Sequence, residues 1–305
     1  MANTFLTPDV IAETALATLY ENTVMLPLVY TDHSTEFTGA QKVGDTVNIR
    51  KPAVFTANEF NRANGITVQE ATEGSIPVKL DKIADVSFAV TSEDLALHID
   101  DFDEQLLAPA TEALSQHIDR ALIALKADLT QVAGVTPAGR SWDKPEVLIE
   151  AGRLLDLKNV PNGLRRAVVG ATTRAAWLDS DLLKRADTSG TTEALRQGSI
   201  GRNLFGFDAY MTQNVVSPAA NPATGQPTTE VGLAFHPTAF SFVSAPLPVP
   251  PNASASVQSY KGLSIRVAQQ YDIKLKQTIV SLDVLYGVKT IDKDRAVLLK
   301  GADKA

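Results

Sequence analysis

Side chains capable of acid–base, nucleophilic or metal chemistry occur along this chain, but their spacing assembles none of the usual sites. The four histidines are His33, His98, His117 and His236, too scattered for any local metal-ligand spacing. His117 adjoins Ile118 in a helix-patterned stretch and reads as a helix-surface or interface residue. His236 precedes Pro237 and reads as a local hydrogen-bonding residue. The pairs Asp100/Asp101 and Asp81/Asp85 have the composition of an acid–base couple or a Mg²⁺ site. Helix capping and solvated strand edges explain them more simply. The run Gly198-Ser199-Ile200-Gly201-Arg202 resembles an anion cradle, but it lacks the strand–loop–helix context and the lysine of a phosphate loop. Arg165-Arg166 is too short for a nucleic-acid patch. No Walker A, G-x-G-x-x-G, H-E-x-x-H or G-x-S-x-G pattern is present, so catalytic residues, cofactors and metals are all expected to be absent. What remains of an enzyme reading is a hydrolase with a non-local active site.

The bulk properties narrow the classes further. The chain has 305 residues, 44% hydrophobic and 21% charged, enough for a large core. With no cysteine, disulfides, thiolate metal sites and cysteine nucleophiles are excluded, and nothing points to secretion. The first ten residues lack the basic region and apolar run of a signal peptide. No apolar run reaches the ~18 residues of a membrane span, so no membrane partner is expected. A net charge of −7 argues against a general nucleic-acid binder, and residues 1–41 carry five acidic side chains and no Lys or Arg.

The elements that would carry any site are organised around residues 100–129. Leu107, Ala110, Leu114, Ile118, Ala121, Leu122, Leu125 and Leu129 recur at three- and four-residue steps and share one helix face. Asp100 and Asp101 stand at the entrance, and Gly134 lies beyond the end, where positive φ is often needed. About thirty helical residues would span ~45 Å. Pro109 implies a kink or a delayed start.

Before this rod, Thr7-Pro8-Asp9 starts a short helix with the stripe Val10, Ile11, Ala15, Leu16, Leu19. That helix and the Pro27-broken stretch 24–29 read either as an arm that packs on something else or as a helix folded back on its own domain. Residues 43–49 alternate as a strand, and 78–90 form a second extended run. The polar stretch 55–76 between them makes a long hairpin with a broad tip, expected to touch another subunit or a ligand. After the rod come a helix over 145–156 and a buried strand at 166–170. A helix capped by Thr172-Thr173 then runs through Leu183. The glycine-rich stretch 187–206 reads as an exposed loop, 207–216 as a strand, and 217–229, with three prolines, as a surface excursion. Strands are predicted at 231–235, 239–243, 263–273 and 278–291. There is no internal repeat.

Six segments carry a resemblance: 3–20 (NTFLTPDVIAETALATLY), 43–52 (VGDTVNIRKP), 72–82 (TEGSIPVKLDK), 92–119, 198–210 (GSIGRNLFGFDAY) and 262–287 (GLSIRVAQQYDIKLKQTIVSLDVLYG). Their order and spacing resemble the major capsid (coat) proteins of tailed bacteriophages, in the podovirus-type branch, over nearly the whole length. The resemblance implies an α+β Hong Kong 97-type shell fold. Its parts would be an N-terminal arm (1–42), an E-loop hairpin (43–90), a peripheral domain with a long spine helix (91–160), an axial domain (161–273) and return strands of the peripheral domain (274–305). It implies a protein that self-assembles through hexamers and pentamers into an icosahedral head enclosing dsDNA without sequence-specific contacts. The further implied partners are a portal, a separate scaffolding protein and a decoration protein. Its implied location is the virion, with assembly in the host cytoplasm. An encapsulin-like compartment shell shares the fold and is the alternative. The inter-subunit contacts expected on this basis are Val10, Ile11 and Leu16 in the arm, Arg50, Lys51, Arg62, Glu70 and Glu73 on the hairpin, and Arg202 in the glycine-rich loop. Two departures stand out. The large axial-domain insertion of some members shrinks here to 217–229, and no lysine near the hairpin (Lys51, Lys79, Lys82) matches a crosslinking motif. Deleting residues 1–20 is expected to leave soluble subunits that fail to close shells.

Overall fold

A computed structural model describes residues 8–31, 46–51, 57, 59–60, 62, 74–91, 106–135, 140–184, 200, 203–249 and 254–305. Helix α1 (Pro8–Asn22) is followed by strands β1 (Thr46–Lys51), β2 (Gly74–Lys79) and β3 (Lys82–Thr91), then helix α2 (Ala108–Ile123). Strand β4 (Val132–Ala133), helix α3 (Val147–Leu157), strand β5 (Arg166–Val169) and helices α4 (Ala171–Leu178) and α5 (Asp181–Lys184) come next. The chain ends in strands β6 (Asp208–Met211), β7 (Gly232–Phe235), β8 (Phe240–Ala245), β9 (Ser254–Tyr260), β10 (Leu263–Asp272), β11 (Gln277–Thr290) and β12 (Ala296–Leu299).

Strand β11, rich in Ile, Val and Leu, is the axis of an antiparallel sheet in which β3, β11, β10 and β9 are neighbours and β8 pairs with β11 from Leu285 to Thr290. Helices α1 and α2 cover one face. Ile11, Ala15 and Leu19 of α1 and Leu114, Ile118 and Leu122 of α2 bury their four-residue stripes against Leu263, Ile265, Val267, Val280, Leu282 and Val284. The helical face read from the sequence is therefore the buried face. In the described residues α2 is shorter than the thirty-residue rod. It begins at Ala108 with Pro109 in the first turn, where the missing N–H is harmless, and passes into a 3₁₀ turn over Ala124–Asp128. Asp100 and Asp101 lie outside the described residues. Gly134 does adopt φ +102°, but it follows β4 and not the helix, and a Cβ there would meet the Lys300 carbonyl and Trp142.

A second sheet runs β4-β12-β7-β5-β6, with β12/β4 and β5/β6 parallel and the two central pairings antiparallel. Its strands alternate between two cores, as period-two geometry requires. Val168, Leu233, Phe235, Ala296 and Leu298 face the core under α1 and α2. Ala167, Val169, Ala234, Val297 and Leu299 face a second core with α3, Trp177 and Phe207. Two-sided burial is why these short strands read as continuous apolar runs.

The predicted hairpin forms, with β1 antiparallel to β2 from Thr46↔Lys79 to Lys51↔Gly74. The extended run at 78–90 is not one strand. It breaks at Leu80-Asp81, so that β2 joins the hairpin and β3 joins the first sheet. The hairpin base packs Val47, Ile49, Val78 and Leu80 on Val243, Ala245, Leu247 and Leu285. At Gly287 the two layers touch, because a Cβ there would land on the Lys79 carbonyl oxygen.

Residue 170 illustrates a tertiary cap. The sequence places Thr172 and Thr173 as the caps of α4, but the N-cap is Gly170, and the backbone N–H groups of Thr172 and Thr173 donate to Glu230 at 3.1 and 3.0 Å. Ser217 and the Thr173 hydroxyl also donate to Glu230. Burial works to raise the Glu230 pKa, but these donors outweigh it and hold the carboxyl below its ordinary value. The 217–229 excursion is tied to the chain end, with Gly225 N–H donating to the Lys304 carbonyl and Lys304 N–H to the Gln226 carbonyl.

Candidate assembly surfaces

The arm residues come first. Helix α1 folds back on its own subunit, packing on β9, β10 and α2. Ile11 and Leu16, expected at inter-subunit contacts, are buried within the chain's own core, whereas Val10 is 45% exposed on the opposite side. The stripe that suggested a free arm is the stripe that docks it, because the first sheet offers a matching apolar face. Of the two readings of this segment, the folded-back one holds for residues 8–31.

The segment after α1 is fastened by a residue that the sequence reading passed over. Asp119 lies on the buried face of α2 and is 1% exposed. Its carboxylate accepts from the backbone N–H groups of Val24 (3.1 Å) and Met25 (3.0 Å) and from Asn214 Nδ2 (3.4 Å). Burial pushes its pKa up, and the two backbone donors and Asn214 counter that shift. Beyond a 3₁₀ turn at Leu26–Leu28, Tyr30 bridges to Ser241 at the edge of β8. One signal was legible: an acid four residues after Ser115 and one after Ile118 falls inside the apolar stripe, where an unpaired charge is costly. Asp119→Ala should leave both N–H groups buried without an acceptor. A loss of about 3 kcal/mol is expected in urea unfolding, and an unchanged midpoint would refute the latch.

The hairpin residues lie elsewhere. By register, Arg50 and Lys51 stand opposite Ser75 and Gly74, at the end of the stem away from Gly287. Five residue steps of antiparallel strand put that end ~17 Å beyond Thr46. Arg62 is exposed in a turn. Glu70, Glu73 and Arg202 lie outside the described residues. The expected contact residues thus fall at separate places on the subunit, with no single pocket shared by those described.

The candidates for chemistry have structural partners. Asp85 pairs across the strands with Asp283 and not with Asp81, and Arg266 lies on the next strand opposite Asp283. Arg266 Nε donates to Asp283 at 3.0 Å, while the Ser281 hydroxyl donates to both carboxylates at 2.9 and 3.0 Å. Burial dominates at Asp283 and pushes its pKa up against the pull of Arg266. At Asp85 burial is outweighed by hydrogen bonds from Asp283, Ser281 and Ser87, and the pKa falls. This row lies on the sheet face away from α1 and α2, as a polar cross-strand ladder. His236 Nδ1 accepts from Thr238 N–H and caps a 3₁₀ turn, the local role expected for it. Burial, then Arg295, Arg165 and Arg166, lower its pKa. His117 is exposed and meets the Tyr286 ring edge-on at 6.2 Å. Of the 198–202 run only Ile200 is described, and it is buried. Among the described residues no three His, Asp or Glu side chains gather as metal ligands, and no helix is long and apolar enough to cross a membrane.

The arrangement of folded-back helix, projecting hairpin and two sheets around a shared core has counterparts among solved structures. A chain of Mycobacterium phage Che8 superposes with a TM-score of 0.66 at 22% identity, covering 90% of each chain. The capsid structure of the cyanophage P-SCSP1u matches with a TM-score of 0.55 at 14% identity, over 87% of this chain and 86% of that one. This chain has a phage-capsid fold. The Hong Kong 97-type α+β class expected from the resemblance is therefore the class observed. A virus-like particle from Pyrococcus furiosus shares it, with a TM-score of 0.51 at 14% identity over 95% of this chain and 97% of that chain. No protein-family profile and no curated protein sequence matches the chain. The capsid-fold reading thus rests on three-dimensional arrangement together with the segment resemblance.

Proposed function

We propose that this protein is the major capsid protein of a tailed bacteriophage, assembling through hexamers and pentamers into an icosahedral head that encloses dsDNA. The observation that carries the reading is a match along nearly the whole chain, in both directions, to phage capsid chains of similar length. A net charge of −7 supports holding DNA by enclosure rather than by phosphate contacts. Its work is association and not catalysis: many modest interfaces close on one another and gain strength by multivalency. In this reading a portal, a separate scaffolding protein and a decoration protein are the partners, and assembly takes place in the host cytoplasm before the protein resides in the virion. The hairpin tip and Val10 are the arm and E-loop surfaces that reach neighbours. Arm, E-loop, peripheral and axial regions are assigned to 1–42, 43–90, 91–160, 161–273 and 274–305, except that β3, β8, β9 and β10 go with the sheet around β11. The peripheral region would include the sheet around β11, which continues through the division at 273 along the β10/β11 pairing.

The similarity to the Pyrococcus furiosus virus-like particle favours a second reading, the shell of a cellular compartment. Electron microscopy and sedimentation of the protein, expressed alone and with its neighbouring genes, separate the possibilities. Closed shells or curved sheets of hexamers and pentamers are the expected result. Particles isolated from the native source should contain dsDNA, and protein cargo in its place would favour the compartment. Material that stays monomeric or dimeric under every condition would falsify both shell readings and return attention to an enzyme.

A further inference from the structure

Two large apolar side chains are held outward by backbone conformations that their residue types disfavour. Leu164 has φ +60° and is 67% exposed, and Phe205 has φ +50° and is 41% exposed. For a residue with a Cβ the left-handed region is sterically costly, and Asn or Gly would occupy it more readily. Phe205 and Gly206, with φ +83°, are the central pair of a tight turn closed by reciprocal backbone hydrogen bonds between Leu204 and Phe207 at 2.8 and 3.0 Å. Positive φ at both positions is the type I′ arrangement, where Asn-Gly is the favoured pair and Phe is not.

The two turns lead into neighbouring parallel strands. Strands β5 and β6 are parallel with Arg166 opposite Asp208, and Asp208 N–H donates to the Arg165 carbonyl at 2.9 Å. Leu164 and the Phe205-Gly206 pair therefore lie at the same end of two paired parallel strands. The residue after Leu164 and the anchor of the second turn are both buried: Arg165 is 5% exposed and Phe207 1%. Arg165 donates to the Val160 and Pro161 carbonyls and to Asp156, and its guanidinium lies 6.0 Å from the centre of the Phe207 ring. Both outward side chains are therefore flanked by buried residues, one of them held by three hydrogen-bond partners.

We infer that the Leu164–Phe205 knuckle is a contact between neighbouring copies of this chain. The inference rests on the shell reading above and names one of its interfaces. Size argues for a second copy in a closed assembly rather than a lone dimer. Two such side chains present apolar surface on the order of 200 Å². A stable two-body interface needs about 1,200 Å² or more. A patch this small is useful when the same contact recurs around a ring and each one strengthens the others.

The test is the pair of variants Leu164→Asn and Phe205→Asn, separately and combined, in the full chain. Asn accepts positive φ, so the subunits should melt at the wild-type temperature or above it. The concentration needed for assembly should rise about tenfold or more in the double variant. Equal assembly of variant and wild type overturns the inference, as does a lowered melting temperature, which would mean that these side chains are held by the subunit's own packing. Failure of the wild-type protein itself to assemble counts against the shell reading, and the knuckle falls with it.

Discussion

Leu114→Asp should leave no soluble, folded subunit, and Leu122→Asp should behave in the same way. Both side chains are fully enclosed between α2 and the first sheet, at 1% and 0% exposure. Removing a buried leucine's contacts costs about 2–5 kcal/mol, and placing a carboxylate in the space adds several more. The sum is comparable with the ~5–15 kcal/mol of stability that a folded domain of ordinary size possesses. Ala113, adjacent in sequence but exposed, supplies the control. Ala113→Asp should cost no more than about 1 kcal/mol in urea unfolding, the helix-propensity difference, because a carboxylate there stays in water. Soluble yield and circular dichroism of the three variants measure this, and a folded Leu114→Asp subunit would place the buried face of α2 elsewhere.

The second large effect concerns the arm, where the structure reverses the outcome expected from sequence. Deleting residues 1–20, and with them most of α1, should give aggregated chains, not soluble subunits that merely fail to close shells. Ile11, Leu16 and Leu19 are at most 6% exposed, and removing them uncovers Leu263, Ile265 and Val267 beneath. Full burial of each large aliphatic is worth about 1.5–3 kcal/mol, so three of them account for ~5–9 kcal/mol before the opened cavity is considered. The uncovered sheet face would then be an exposed apolar patch prone to association. A role of the arm in assembly has to be sought instead at Val10, which points away from the core. Val10→Asp should leave the melting temperature within a degree or two and lower the fraction assembled. A soluble, natively folded deletion protein would show that α1 is not part of the subunit core.

These two outcomes differ in how far the sequence could anticipate them. The stripe Leu114–Ile118–Leu122 announces a buried face, and the structure buries it. Ile11 and Leu16 make a similar stripe, but a stripe states only that a face will be covered and is silent on what covers it. Whether the cover is the same subunit or a neighbour depends on the sheet built from residues 254–290, more than two hundred positions away. Asp119 shows the same limit for a polar group. Its place among buried residues could be noticed, but the donors that satisfy it, Val24 and Met25, are 95 and 94 residues distant.

The sequence by itself determined the local periods: the helices α1 to α4, most strands of the first sheet, the β1–β2 hairpin, and the absence of local catalytic spacings. These follow from side-chain alternation and helix repeat, which need no knowledge of the rest of the chain. Tertiary structure alone decided that 78–90 divides between two layers at Leu80-Asp81, and that β12 inserts between β4 and β7. It also decided that Glu230 caps a helix 58 residues before it, and that Gly287 must lack a side chain to admit Lys79. Each of these depends on which surfaces meet at long range. Pairing partners are chosen by the total burial and hydrogen bonding of the assembled layers, a quantity that no local window contains.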